Sequence, residues 1–246
     1  MKEIYKLKFS FTLLSHLLKS IFYKYHSDKR KIIKEIMPQP EVVIDIGAHA
    51  GQVSKMISHT YNNAVKIIAI EPGVYARFIL RMSIFFNRLK HVHVLPFAIS
   101  NKAGFSFLNV PEKRKNSLGF GLSHMSNGHE DFTNRNFKIH YDYVAVTTID
   151  QIVDDLKLKT VNFIKIDIEG FEYKALLGAQ NTLKKYKPII YIELQKHSLA
   201  RNSDSLDDLY NYLRKIGYKS YYIRNDKLVK YEDNIEEDEV FFIHNK

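Results

Sequence analysis

The chain has 246 residues, 45% of them hydrophobic and 26% charged, close to globular averages and enough to bury a core. It has no cysteine, which excludes a disulfide scaffold, a cysteine nucleophile and any Cys-ligated zinc or iron–sulfur centre. Its 37 Lys and Arg against 27 Asp and Glu give a net charge of +10, which admits nucleic acid, an anionic membrane or an acidic substrate as partners.

Residues 1–38 read as an amphipathic helical extension. Lys2, Lys6 and Lys8 precede an apolar stretch over residues 9–18, but no small-x-small cleavage site follows, so the stretch is not read as a secretory signal. No run approaches the roughly 20 apolar residues of a spanning helix. Ile4, Leu7, Phe11, Leu14, Leu18 and Ile21 recur in steps of three and four, one apolar stripe with the lysines largely off it. The stripe is expected to dock on the domain behind it. The alternative is a helix lying on a membrane surface. The expected location is cytoplasmic, peripheral to a membrane in that alternative.

Pro38 and Pro40 end the extension, and residues 39–246 read as one domain. Residues 41–46 form a short buried strand, followed by a glycine-bearing turn and a helix over 52–59. A second strand covers 66–71, a helix 74–89 and a third strand 93–98. This alternation predicts parallel βαβ units in an open, doubly wound α/β sheet. Residues 104–110 and 143–148 look like a pair of extra strands around an irregular segment, 111–141, of the kind that forms a functional or disordered loop. The rhythm resumes with a short helix from Asp150, a strand over 161–167, a helix over 172–186 and a strand over 188–193. Leu206, Leu209, Leu213 and Ile216 mark one more helix, with Gly217 as its left-handed cap. Strands near 218–224 and 240–244, with no helix pattern between them, suggest an antiparallel pair closing the sheet.

Ligands of open α/β sheets sit beyond the carboxyl ends of the strands, and three strand ends here carry unusual residues. Asp45-Ile46-Gly47-Ala48-His49-Ala50-Gly51 runs a strand into a helix start. Its glycine spacing is not the G-x-G-x-x-G of dinucleotide folds, and Asp45 would repel a pyrophosphate. A ligand with a cationic group fits better. Glu71 ends the next strand, where a carboxylate can accept both hydroxyls of a ribose. The strand over 161–167, expected beside the first, ends in Asp167-Ile168-Glu169-Gly170-Phe171-Glu172. Mutual repulsion among these carboxylates raises at least one pKa and suits a general base. The plainer reading makes Glu169 and Glu172 helix-start charges that complement the dipole. Glu193 and His197, near the following strand end, are secondary candidates.

These motifs, with Glu71-Pro72, Pro96-Phe97-Ala98 followed by Gly104, Thr148-Ile149-Asp150, Leu177-Gly178-Ala179 and Ile192-Glu193, resemble the FkbM-family methyltransferases over about residues 42–193. The family's usual Asn in the first motif is His49 here. The resemblance implies a class I, Rossmann-like methyltransferase fold using S-adenosylmethionine. By it, Asp45, Gly47, Ala48 and Gly51 border the methionine end, Glu71 and Pro72 hold the ribose side, and Ala98 lies by the cofactor. It also implies O-methylation of a sugar, glycan or secondary metabolite. Asp167, assisted by Glu169 or Glu172, is the expected base, and no metal is required. Asn116 and Ser117 in the irregular segment, with His124, His129, Glu193 and His197, are expected to touch the acceptor.

Two other classes compete. An RNA methyltransferase would suit the charge, but such enzymes carry an Asn/Asp-Pro-Pro-aromatic run where this chain has Asp167 to Gly170, and a concentrated acidic motif meets phosphates badly, so nucleic acid is disfavoured. A non-catalytic module with a vestigial cofactor fold would associate with membrane or glycan without binding S-adenosylmethionine. The charge is peripheral: residues 1–40 hold nine basic and three acidic side chains, residues 77–115 eight and one, and residues 231–246 one and six. Arg77, Arg81 and Arg88 are expected on one helix face, either solvated or docking an anionic lipid surface or carrier.

Overall fold

Two helices lead into the fold, Phe11–Phe22 (α1) and Lys29–Ile36 (α2). The computed structural model describes residues 11–23, 29–114, 117–118, 124–126, 139–231 and 239–245. Past Pro40 the chain alternates through Val42–Ile46 (β1), Gln52–Thr60 (α3), Lys66–Ile70 (β2), Val74–Phe86 (α4) and Val92–Leu95 (β3). Ala98–Ile99 (β4), Gly104–Arg114 (β5), Ser117–Leu118 (β6), His124–Ser126 (β7) and Ile139–Thr147 (β8) follow without helices. The alternation then returns with Ile149–Asp155 (α5), Phe163–Ile166 (β9), Glu172–Leu177 (α6), Gln180–Tyr186 (α7), Ile189–Glu193 (β10), Lys196–Ala200 (α8) and Leu206–Lys215 (α9). Tyr218–Arg224 (β11), Lys227–Lys230 (β12) and Glu239–His244 (β13) finish the described chain.

The main sheet has eight strands in the order β12-β11-β13-β10-β9-β1-β2-β3. The five from β10 to β3 are parallel, and β13, β11 and β12 add antiparallel pairs. All five residues of β1 and all four of β9 are buried, as central strands of a parallel sheet covered on both faces must be. One face packs Ile44, Ile164, Ile190 and Ile192 against apolar residues of α5, α6, α7 and α9. The other packs Val43, Ile67, Phe163 and Tyr191 against Ile33 of α2 and Val53, Met56 and Ile57 of α3. The antiparallel pair expected at the carboxyl end is present. It has also gained β12, joined to β11 by Asn225 and Asp226, both at positive φ. That is the backbone a two-residue primed hairpin turn requires.

The extra strands expected over 104–110 and 143–148 pair as β5 and β8 and belong to a second, five-stranded sheet. Its other members were not all anticipated. The strand expected over 93–98 breaks at Pro96, which cannot donate to a ladder: β3 stays in the main sheet, and β4 crosses over to pair with β8. The helix expected over 172–186 splits at Gly178, where a Cβ would stand 2.3 Å from the Ser100 carbonyl oxygen. Asp150 caps the second half, accepting from the backbone of Asn181 and Thr182 at 3.0 and 2.8 Å.

The leader helix docks on the domain, but by a different face from the one the spacing predicts. Leu13 and Ser20 are buried, Leu13 against Ala50 and Ile79, while Leu14 and Leu18 are about half exposed. Leu13, Leu17 and Ser20 are also spaced four and three apart, and the small Ser20 admits close approach to Ser83, whose hydroxyl donates to the Ser20 carbonyl at 3.2 Å. Ile4 and Leu7 lie outside the described residues. Among the described residues no helix is long and apolar enough to cross a membrane.

Candidate active site

The strand order reverses at β1, with β2 and β3 on one side and β9 and β10 on the other. Beyond the carboxyl ends of these strands lies a cavity of about 370 Å³. Its walls are Gly47, Ala48 and His49 after β1, Glu71 and Pro72 after β2, Ala98 from β4, Lys165, Asp167, Ile168 and Glu169 from β9 onward, and Glu193 at the end of β10. Leu108 and Met125 of the second sheet roof it. That position is where a doubly wound sheet binds its ligand.

The turn after β1 is shaped by backbone conformation. Gly47 sits at φ +69, and a Cβ there would meet the Asp167 carbonyl oxygen at 1.8 Å, so the two strand-end loops touch through a glycine alone. His49 has φ +47, a left-handed conformation that Asn, Asp and His adopt more readily than other side chains. That accounts for His where the family has Asn. The His49 backbone N–H donates to Glu71 Oε2 at 2.9 Å, and the Gly73 N–H donates to Oε1 at 2.8 Å. Each carboxylate oxygen, on a residue that lines the cavity, keeps further acceptor capacity. Burial pushes the Glu71 carboxyl up, against the pull of these two amides and of Lys165.

Lys165 was missed in the sequence. Its Cα is registered with Asp45 of β1 on one side and Tyr191 of β10 on the other. Its Nζ donates to the Gly47 carbonyl at 2.8 Å and lies 3.1 Å from Asp167 Oδ2 and 3.7 Å from Asp45 Oδ1. Burial opposes its charge, but Asp167 and Asp45 outweigh burial and raise its pKa. A lysine inside an otherwise apolar central strand, two residues before Asp167 and therefore on the same sheet face, is the signal that could have found it.

Asp45 does not face the cavity. Its Oδ2 accepts from the Ser54 backbone at 3.0 Å and the Ser54 hydroxyl at 2.6 Å, fastening the first turn of α3 to the strand. The ligand cation expected to answer its charge is supplied internally by Lys165. Gly51 also lies off the cavity, at φ +83, where a Cβ would meet Leu80 at 2.5 Å.

The acidic motif separates into distinct tasks. Asp167 is half-buried on the cavity wall and paired with Lys165. Glu169, at φ +53, is followed by Gly170 at φ +111, two left-handed residues in succession at the mouth of the site. Burial and then the Asp167 charge push the Glu169 carboxyl up to about 7, with Arg201, 3.9 Å away, opposing them. Glu172 turns away from the cavity. Its carboxylate accepts from the Ile168 backbone at 3.1 Å and the Gly170 backbone at 3.0 Å, so it holds the loop that carries Glu169. Glu193 lies on the cavity wall with its pKa raised by burial and by Asp167. His197 is exposed on α8 and does not line the cavity. Asn116 and His129 lie outside the described residues, and Ser117 and His124 are described only as backbone, in β6 and β7.

The model of the methyltransferase FkbM domain matches residues 45–220. The chain belongs to the FkbM methyltransferase family. The methyltransferase FkbM of Methylobacillus flagellatus KT superposes with a TM-score of 0.53 at 19% identity, over 88% of this chain and 47% of that one. This chain therefore spans about half the length of that FkbM protein, and the likeness is one of fold, that of the class I methyltransferases. A putative O-methyltransferase from Klebsiella pneumoniae is similar over 96% of this chain and 89% of its own, with 9% identity and a TM-score of 0.49. The Bacillus cereus O-methyltransferase, solved in complex with SAH, is similar over 98% and 94%, with 11% identity and a TM-score of 0.47. No curated protein matches the chain. The three strand-end motifs of this FkbM chain, far apart in sequence, meet in one cavity where the described residues bring four carboxylates, Glu71, Asp167, Glu169 and Glu193, against one ammonium, that of Lys165.

Proposed function

We propose that the chain transfers a methyl group from S-adenosylmethionine to a hydroxyl oxygen of a sugar, glycan or secondary metabolite. The residues fit the cofactor: an excess of negative charge suits a sulfonium cation, Gly47 keeps a wall that any Cβ would block, and Glu71 presents oxygens for a ribose diol. Gly47, Ala48 and His49 would hold its methionine side, and Glu71, Pro72 and Ala98 its nucleoside side. Bound there, S-adenosylmethionine supplies a methyl group already attached to a good leaving group. The remaining work is to place the acceptor oxygen and remove its proton, and placement alone can supply roughly 7–11 kcal/mol.

The observation that carries this reading is the cavity itself, which brings Gly47, Glu71 and Glu169 together, with burial and Asp167 pushing the Glu169 carboxyl up to about 7. A general base works best with its pKa near the working pH. With its carboxyl raised by burial and the neighbouring Asp167, Glu169 is the group we assign to take the proton. This revises the expectation that put Asp167 first. Arg201 anchors the loop by donating to the Glu169 carbonyl at 3.0 Å and the Ser198 hydroxyl at 2.9 Å. Phe97, Leu108, Met125 and Ile168 give the acceptor an apolar wall. Glu169→Gln should lower methyl transfer to hydroxyl acceptors about 10²–10⁴-fold, with S-adenosylmethionine affinity by calorimetry unchanged. Unchanged turnover would remove Glu169 from the role, and no binding by the wild type would remove the whole reading.

A further inference from the structure

α1 and α4 lie side by side on one face of the main sheet, with His16 Nδ1 2.9 Å from the Tyr75 hydroxyl and Ser20 against Ser83. Each turns one face inward: Leu13 and Ser20 on α1, and Ala76, Ile79, Leu80 and Ser83 on α4. The opposite faces are apolar as well. Val74, Phe78, Arg81 and Phe85 follow one another at steps of four, three and four, an outward stripe along α4. Phe85 and Phe86 are 71% and 57% exposed, and on α1 Leu14, Leu18 and Phe22 are 50%, 46% and 74% exposed. Soluble surfaces carry single apolar side chains freely, but a cluster on two adjacent helices marks a surface that meets something.

The charged side chains carried by the two helices, and by the turn after α4, are all basic. Lys19, Arg81, Arg88 and Lys90 are exposed beside it. Neither helix contains an acidic residue, and the sequence holds none from residue 4 to 27 or from 72 to 111. Arg77, expected to join this face, instead donates to the Glu71 and Pro72 carbonyls at 2.9 and 2.7 Å, and Arg88 falls past the end of the helix at φ +54. We propose that the outward face of α1 and α4 docks on the headgroup layer of a membrane containing anionic lipid. Leucine and phenylalanine side chains would enter the boundary of headgroup and acyl chain, with the cations against lipid phosphates. A second copy of this chain is a poorer occupant, because a two-fold contact would set the same cations against each other. The proposal is independent of the methyl acceptor.

Sedimentation of the full chain with vesicles tests it. Binding is expected to phosphatidylcholine vesicles containing phosphatidylglycerol and not to phosphatidylcholine alone, and to weaken as salt is raised. Phe85→Glu with Phe86→Glu should lower partitioning at least tenfold, and Arg81→Ala about fivefold, both with unchanged melting temperature. Three results would overturn the proposal. One is equal binding to neutral and anionic vesicles. Another is a wild-type dimer that the double variant turns into a monomer, with no vesicle binding. The third is binding lost on neutralising Lys2, Lys6 and Lys8 yet kept in the Phe85/Phe86 variant.

Discussion

Lys165 lies 3.1 Å from Asp167 and 3.7 Å from Asp45, so removing its charge strands two carboxylates at once. Asp45 is wholly buried, and its Oδ1 has no hydrogen-bond partner. Removing one partner of a buried ion pair costs about 3–5 kcal/mol, far more than an exposed pair contributes. Lys165→Met is therefore expected to destabilise the chain by about that amount in chemical denaturation. Adding Asp45→Asn should recover part of the loss, because the uncompensated charge is then gone. Asp45, Glu71 and Asp167 could be picked out by eye because each ends an apolar run. Their tasks could not be assigned, since the pairing that sets Asp45 inside the sheet opposite Lys165 and leaves Asp167 just past the end of β9 is not written in either motif.

The element that fixes the geometry of the acidic motif is the loop between β9 and α6. Glu172 ties it down by accepting from the backbone amides of Ile168 and Gly170, and at Gly170 a Cβ would stand 2.2 Å from the Ser198 carbonyl oxygen, so glycine alone lets the chain pass there. A buried donor left without an acceptor costs about 1–3 kcal/mol. Glu172→Ala should accordingly lower stability by a few kcal/mol in a thermal melt, and should slow methyl transfer because Glu169 loses its support. Glu172→Gln, which keeps one acceptor oxygen, should fall between the two. At this scale the sequence was informative where residues adjacent in the chain act together, as in the glycine turn, the βαβ order and the Gly217 cap. It was misleading where a distant partner decided. Two apolar stripes coexist on α1, and contacts with Ala50, Ile79, Ser83 and other distant residues determine which one is buried.

For the whole molecule, the raised carboxyls couple stability to pH. Glu169 and Glu172 both titrate near 7 when folded, against an ordinary value of 4.5. Between those limits the folded chain holds protons that the unfolded chain has released. Stability contributed by these groups is therefore full below about 4.5 and is lost as pH rises to about 7. Melting temperatures from pH 5 to 8 should fall across that window, and Glu169→Gln should flatten the slope. A slope equal to that of the wild type would mean that Glu169 does not titrate there.

The sequence by itself determined the parallel α/β core, the pairing of β5 with β8, the antiparallel close and the family, because each is written in contiguous runs whose period or turn residues leave little choice. Only the tertiary structure decided that Lys165 answers Asp45, that Leu108 and Met125 roof the cavity, that Glu172 supports the loop while Glu169 faces the site, and which side of α1 meets solvent. Except for Glu172, whose partners Ile168 and Gly170 are close neighbours in the chain, those outcomes depend on groups tens to more than a hundred residues apart. Local propensity carries no record of which of them the sheet will bring within 4 Å.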